Sequence, residues 1–220
     1  MPVYTTELTI APDAVIREMG YKAGAEVDAR IMQEITAVIR EVKPMLQPGV
    51  AYAEYPADTD ALAGGFVLPA GALAPGPHIF SCLSQSESLV AAVATVGGLG
   101  PSGPGPDDLF AAFLRDAVGT VALYELQDSF WRWQASQAAD KGGGITALFF
   151  PGEGEWGLED QGVLVANVDA AAIGVTVNRG FLLTPLKSVA MLFGVGGRIK
   201  TPRAGHECSA CSRVTCPRRR

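Results

Sequence analysis

Charge is sparse in this chain: Asp, Glu, Lys and Arg make up 18% of its 220 residues, against 48% hydrophobic residues. So much apolar surface excludes an extended, disordered chain and is enough for one substantial core. No run of 18 apolar residues occurs, and no basic segment leading into an apolar one opens the chain, where residues 1–9 are mixed and polar. The expectation is therefore a soluble, cytoplasmic protein with no membrane partner and no secretory signal. The Gly-rich stretch at residues 97–106 lacks a following Gly-Lys-Ser/Thr and the strand-to-helix setting of a Gly-x-Gly-x-x-Gly turn, so it reads as a connector and not as a nucleotide cradle. No nucleophile–base arrangement is recognisable, which argues against a methyltransferase in its own right.

Gly (26) and Pro (15) are frequent, and they divide the chain into short elements. Residues 4–10 read as a strand and residues 12–19 as a short helix ending at Gly20. At residues 26–43, Val27, Ile31, Ile35, Val38, Ile39 and Val42 recur at spacings of three and four, a one-faced helix ended by Pro44. Residues 51–57, 65–68 and 78–83 read as strands, and residues 86–96 as a helix of small residues. Residues 107–141 form the longest helical stretch, with Gly119 and Ala117 admitting a close neighbour. Strands are expected at 146–150, 171–177 and 181–183, a helix at 158–166, and a segment at 187–195 leading out of the core. Without a regular βαβ rhythm, the class is α+β with a twisted antiparallel sheet and flanking helices, a single domain over residues 1–197 with a tail at 198–220.

Charge is divided along that boundary. From Arg198 onward there are seven Lys or Arg and one acid; the preceding residues hold ten bases and 22 acids. The acidic body repels polyanions, and the short tail reads as solvated and not as a nucleic-acid contact.

Two stretches concentrate chemistry. Residues 148–161 place a Pro-Gly turn after an apolar run, with Glu153, Glu155, Trp156, Glu159 and Asp160 close behind, a loop suited to a site or to capping the next helix. In the tail, Cys208, Cys211 and Cys216 lie within nine residues, and a Cys-x-x-Cys turn points two sulfurs at one ion. A fourth ligand is missing locally; Cys82 and His206 are the candidates, with His78 behind them. Zinc would want four closed ligands, and a [4Fe–4S] iron–sulfur cluster four thiolates or three with one open iron.

Taken together, Met19-Gly20-Tyr21-Lys22, Ala94-Thr95-Val96-Gly97, the helix from Asp116 with Glu125, Phe150-Pro151-Gly152 before Trp156 to Gln161, Pro185-Leu186-Lys187-Ser188-Val189 and the terminal Cys-x-x-Cys-x-x-x-x-Cys-Pro resemble the stand-alone proteins related to the activation domain of cobalamin-dependent methionine synthase. The resemblance covers nearly the whole chain. It implies a C-shaped α+β domain that docks over a corrinoid and, in the full-length enzyme, binds S-adenosylmethionine for reductive reactivation. There Co(II) gains an electron, and Co(I) is trapped by methylation. Positioning would be most of the catalysis. The cofactor-facing residues it implies are Pro151, Gly152, Glu153, Trp156, Asp160, Gln161, Lys187 and Ser188, with Trp156 expected to be exposed; the expected partner is a corrinoid protein or methyltransferase. The sequence departs from the family's Arg-x-x-x-Gly-Tyr signature, with Leu148 at the arginine and Glu153 at the tyrosine, so weak or absent S-adenosylmethionine binding is the expectation. Two functions follow: a reactivation accessory relaying an electron through a tail cluster, or a non-enzymatic module that clasps a corrinoid protein or a small ligand and holds a structural zinc.

Overall fold

In the computed structural model, residues 1–22, 24–60, 64–99, 109–203 and 205 are described, apart from the side chain of residue 60. In chain order the elements are β1 (Val3–Tyr4), α1 (Pro12–Glu18), α2 (Ala29–Val42), β2 (Gly49–Pro56), β3 (Thr59–Asp60), β4 (Gly65–Leu68), β5 (Gly71–Leu73), α3 (Pro77–Leu83), β6 (Ser88–Thr95), α4 (Leu109–Asp140), β7 (Gly144–Ile145), α5 (Asp160–Ala166), β8 (Thr176–Val177), β9 (Leu183–Thr184) and β10 (Ser188–Gly196). The main sheet runs β1-β2-β6-β10-β7, every pair antiparallel, and small sheets β3-β4-β5 and β8-β9 flank it. The protein is α+β with an antiparallel sheet, as its sequence predicts.

Strand β6 is the middle of the molecule. Its alternate residues enter two separate cores: Val90, Ala92 and Ala94 face one, Leu89, Ala91 and Val93 the other. This overturns the helix expected at 86–96. A strand covered on both faces shows no polar alternation, and its run of alanines lends it the composition of a helix. The same reason corrects residues 187–195: they do not leave the core but form β10, paired along its length with β6 and at its end with β7.

The helical face is built as its periodicity predicts. Asp28 caps α2, its Oδ1 accepting from Arg30 N–H at 2.7 Å, and Ile35, Val38 and Val42 are buried. Helices α1 and α2 pack on α4, and Arg115 of α4 pairs with Glu41 of α2. Gly119 lets α4 approach closely, since a Cβ there would stand 2.6 Å from Leu99 Cδ1. Tyr4, Tyr52, Phe130, Trp133 and Phe193 form an aromatic cluster on this side.

Several short elements differ from expectation. Residues 78–83 are helical in α3, because Pro77 starts a helix and Gly76, at φ 83°, turns the chain into it. Of residues 4–10, only Tyr4 pairs in the sheet, although Leu8 and Ile10 are still buried. Residues 146–150 contribute an isolated bridge, Phe149 to Leu192, after the shorter β7. Residues 170–173 form a 3-10 turn closed by left-handed Gly174, which leaves Thr176–Val177 as the strand. At 181–183 the strand shifts to Leu183–Thr184, because Asn178 Oδ1 accepts from the Gly180 and Leu182 N–H groups and keeps the turn open that far.

Candidate functional site

The loop after Phe150 is a series of tight turns. Glu153 N–H donates to Phe150 O, Trp156 N–H to Glu153 O, and Gly152 N–H, at φ 88°, back to Trp156 O. Folding the loop on itself drives the indole inward: Trp156 is 2% exposed and belongs to the core on the side away from α4. This corrects the expectation of an exposed Trp156. A buried indole needs an acceptor, and its Nε1–H donates to Asp160 Oδ2 at 2.8 Å. The same oxygen accepts from Ala74 N–H at 2.7 Å, tying the first turn of α5 to the end of β5. Gln161 is also buried, and its Nε2 donates to Phe181 O, drawing the turn at residues 178–182 against α5. Phe181 is the one non-glycine residue with positive φ, 61°, among the described residues.

Pro151 is buried, whereas Gly152, Glu153, Glu155, Leu158 and Glu159 form the exposed surface of this loop. Glu153 is exposed as a residue, yet desolvation around its carboxyl raises its pKa above the ordinary 4.5.

Lys187 and Ser188 belong to a different region. Lys187 reaches α4, where its Nζ lies 2.8 Å from Asp116 Oδ1 and 2.7 Å from Thr120 Oγ1. Its methylenes pass Gly119, whose absent Cβ would stand 3.3 Å from Cε. Ser188 Oγ donates to the buried Thr95 Oγ1 at 2.8 Å, and that oxygen also accepts from Gly97 N–H at 3.0 Å. The structure thus brings Trp156, Asp160 and Gln161 together on one side of the sheet, while Lys187 turns to the helices on the other.

Leu148 is 2% exposed, and its backbone N–H donates to Gly205 O at 2.6 Å. For metals, no group of three or more His, Cys, Asp or Glu side chains is gathered among the described residues. Cys82 is half-buried on α3, with its Sγ 3.8 Å from His78 Nε2. Cys208, Cys211, Cys216 and His206 lie outside the described residues. Among the described residues no helix is long and apolar enough to cross a membrane.

Sequence reasoning missed two features. Asn167 is buried and acts as a hub: Oδ1 accepts from Ala70 N–H at 3.1 Å, Nδ2 donates to Val163 O at 2.8 Å, and its carbonyl accepts from Tyr55 Oη at 2.5 Å. A cleft of about 210 Å³ opens where Glu54, Glu87, Gln134, Gln137 and Lys141 converge. Inside it Glu54 accepts from Ser88 Oγ, and Glu87 Oε1 from Gly197 N–H at 3.0 Å. Neither is a spaced motif, because each is assembled from segments far apart in the chain.

No family model matches the sequence, and no curated protein matches it. Among solved structures, the chain is similar to the MetH reactivation domain, a crystal structure with AdoHcy bound, at a TM-score of 0.56 and 11% identity, covering 94% of this chain and 82% of that one. At that identity the likeness is one of fold, and it extends over nearly the whole chain: this is an α+β protein with the architecture of the MetH reactivation domain.

Proposed function

We propose that the protein is an accessory to a corrinoid protein, docking on it and serving its reductive activation or maintenance. The observation that carries this reading is a reactivation-domain fold spanning 94% of the chain, together with the order of short motifs that resemble that family. The partner would be a corrinoid protein or a methyltransferase that holds one. The corrinoid supplies the redox and methyl-transfer chemistry when bound to that partner; this chain supplies shape and contacts.

The docking surface in this reading is the exposed side of the 151–161 loop. Pro151, Trp156, Asp160 and Gln161 hold the loop's shape from beneath, and Glu153, Glu155, Leu158 and Glu159 present it. Lys187 and Ser188 set the far end of β10. S-adenosylmethionine plays little part, since Leu148 offers no cation to its carboxylate, and calorimetry should find weak or absent binding. Micromolar affinity would contradict this.

The tail thiols Cys208, Cys211 and Cys216 share one metal centre. As an iron–sulfur cluster of the [4Fe–4S] type it would relay the electron to cobalt. The alternative, a non-enzymatic module that clasps a corrinoid protein or a small ligand and holds a structural zinc, is favoured by one observation, the imidazole beside Cys82 on α3.

Docking is tested by titrating the full chain into a cobalamin-loaded corrinoid protein and following corrinoid absorbance and co-elution. A saturable change is expected. Leu158→Asp should weaken it more than about tenfold, as loss of an apolar contact at an interface centre does, whereas Arg219→Ala should change it little. Equal affinity of the Leu158→Asp and parent chains would remove this loop from the functional account.

A further inference from the structure

Strands β2, β6 and β10 finish side by side: Pro56 pairs with Ser88, and Ser88 with Val195. The last turns of α4 face these strand ends across the cleft of about 210 Å³, with Glu54, Glu87 and Ser88 on the sheet side and Gln134, Gln137 and Lys141 on the helix side. Two carboxylates enter it, and each is held by a donor of its own. Glu54 Oε1 accepts from Ser88 Oγ, and Glu87 Oε1 from Gly197 N–H at 3.0 Å. One such bond leaves an ionised carboxylate with capacity for further donors. Among the described residues, Glu54, Glu87 and Lys141 take part in no ion pair.

Glycines make the seat for Glu87. A Cβ at Gly196 would stand 3.2 Å from Glu87 N, and one at Gly197 3.3 Å from Glu87 Oε1, so the glutamate packs directly on bare backbone. Two carboxylates against one ammonium leave the cleft with an excess of negative charge. The carbonyl end of α4 adds to it, since a helix carries partial negative charge at that end. The side-chain amides of Gln134 and Gln137 accept as well as donate, and Val195 and Ala138 supply apolar wall. A hard divalent ion asks for six or more oxygens and suits this set poorly, with only two carboxylates and an ammonium beside them. A group with one positive charge, several N–H donors and a short alkyl body suits it well.

We propose that this cleft binds a small aliphatic ammonium compound, its charged head held by Glu54 and Glu87, with the amide oxygens of Gln134 and Gln137 as further acceptors and the alkyl part against Val195 and Ala138. Lys141 at the rim opposes the ligand's charge and sets the strength of binding. The site shares no residue with the loop at 151–161 and needs no corrinoid partner, so it stands apart from the docking reading.

The test titrates the full, isotopically labelled chain with n-butylammonium chloride and follows the amide resonances of Ser88 and Gly197 by NMR. Saturable shifts at millimolar concentration are expected. Glu54→Gln and Glu87→Gln each keep an oxygen for Ser88 Oγ or Gly197 N–H but lose the charge, and each should weaken binding by about tenfold or more. Lys141→Gln should tighten it. Glu34→Gln on α2 removes the same unit of charge from the body and should leave the affinity unchanged. Glu54, Glu87 and Lys141 are all exposed, so these variants should melt like the parent chain. Absence of a saturable shift in the parent, or equal weakening by Glu54→Gln, Glu87→Gln and Glu34→Gln, would overturn the site in favour of a general attraction of cations to an acidic surface. Saturation by glycine at lower concentration than by butylammonium, with binding weakened by Lys141→Gln, would overturn the ammonium class in favour of a zwitterion.

Discussion

On one side of the sheet α4, with α1 and α2 packed on it, lays Leu114, Val118, Leu126 and Phe130 over Val90, Ala92 and Phe193. On the other, short strands, turns and two small helices bring Phe66, Leu73, Leu83, Trp156 and Leu164 over Leu89, Ala91 and Leu192. Both cores are built of apolar side chains, but their backbones are satisfied differently. A helix bonds its own peptide groups, so the first face needs only the right apolar spacing. Turns leave peptide groups open, so on the second face polar side chains close them: Asp160 for Ala74, Asn167 for Ala70, Gln161 for the Phe181 carbonyl. The loop face therefore depends on individual residues to a degree the helical face does not.

The most severe way to break that contrast is Trp156→Ala, which removes the largest buried side chain of the loop face and the donor to Asp160. It should cost about 3–5 kcal/mol, read from urea unfolding, against about 0.5–1.5 kcal/mol for Ile35→Val on the helical face. A loss under 1 kcal/mol for Trp156→Ala would mean that the indole does not hold this face together. Asn167→Ala comes next: it leaves the Ala70 N–H without its acceptor and should cost about 1–3 kcal/mol. Hydrogen exchange sharpens the result, since faster exchange should appear at Ala70 and not in α2 or α4. Uniform acceleration would deny that Asn167 acts locally.

The smallest effect sharpens the comparison by pH. Glu153 has its folded pKa raised by desolvation, so its contribution to stability is fully present below the unfolded value near 4.5 and is lost as pH rises through the folded pKa. Glu153→Gln should accordingly raise the melting temperature slightly at neutral pH, with the gain disappearing below pH 4.5. A gain that persists in acid would locate its cause elsewhere than in the carboxylate.

Much of the helical face was legible because 3.6-residue spacing is written locally: Ile35, Val38 and Val42 in α2 need no partner to be recognised. So were the α+β class and the Pro-Gly loop with its cluster of acids. Tertiary structure alone decided that residues 88–95 and 188–196 are the central strands, because burial on both faces erases the alternation that marks a strand. It decided that Trp156 turns inward, since the acceptor that makes an indole tolerable there, Asp160, lies in the next element together with its second donor from β5. It also set His78 and Cys82 side by side: residues 78–83 carry no helical signature strong enough to outweigh a strand reading until Pro77 and the left-handed Gly76 are seen to start a helix. Periodic burial is a property of a segment, whereas the partners of a polar side chain are a property of the folded whole.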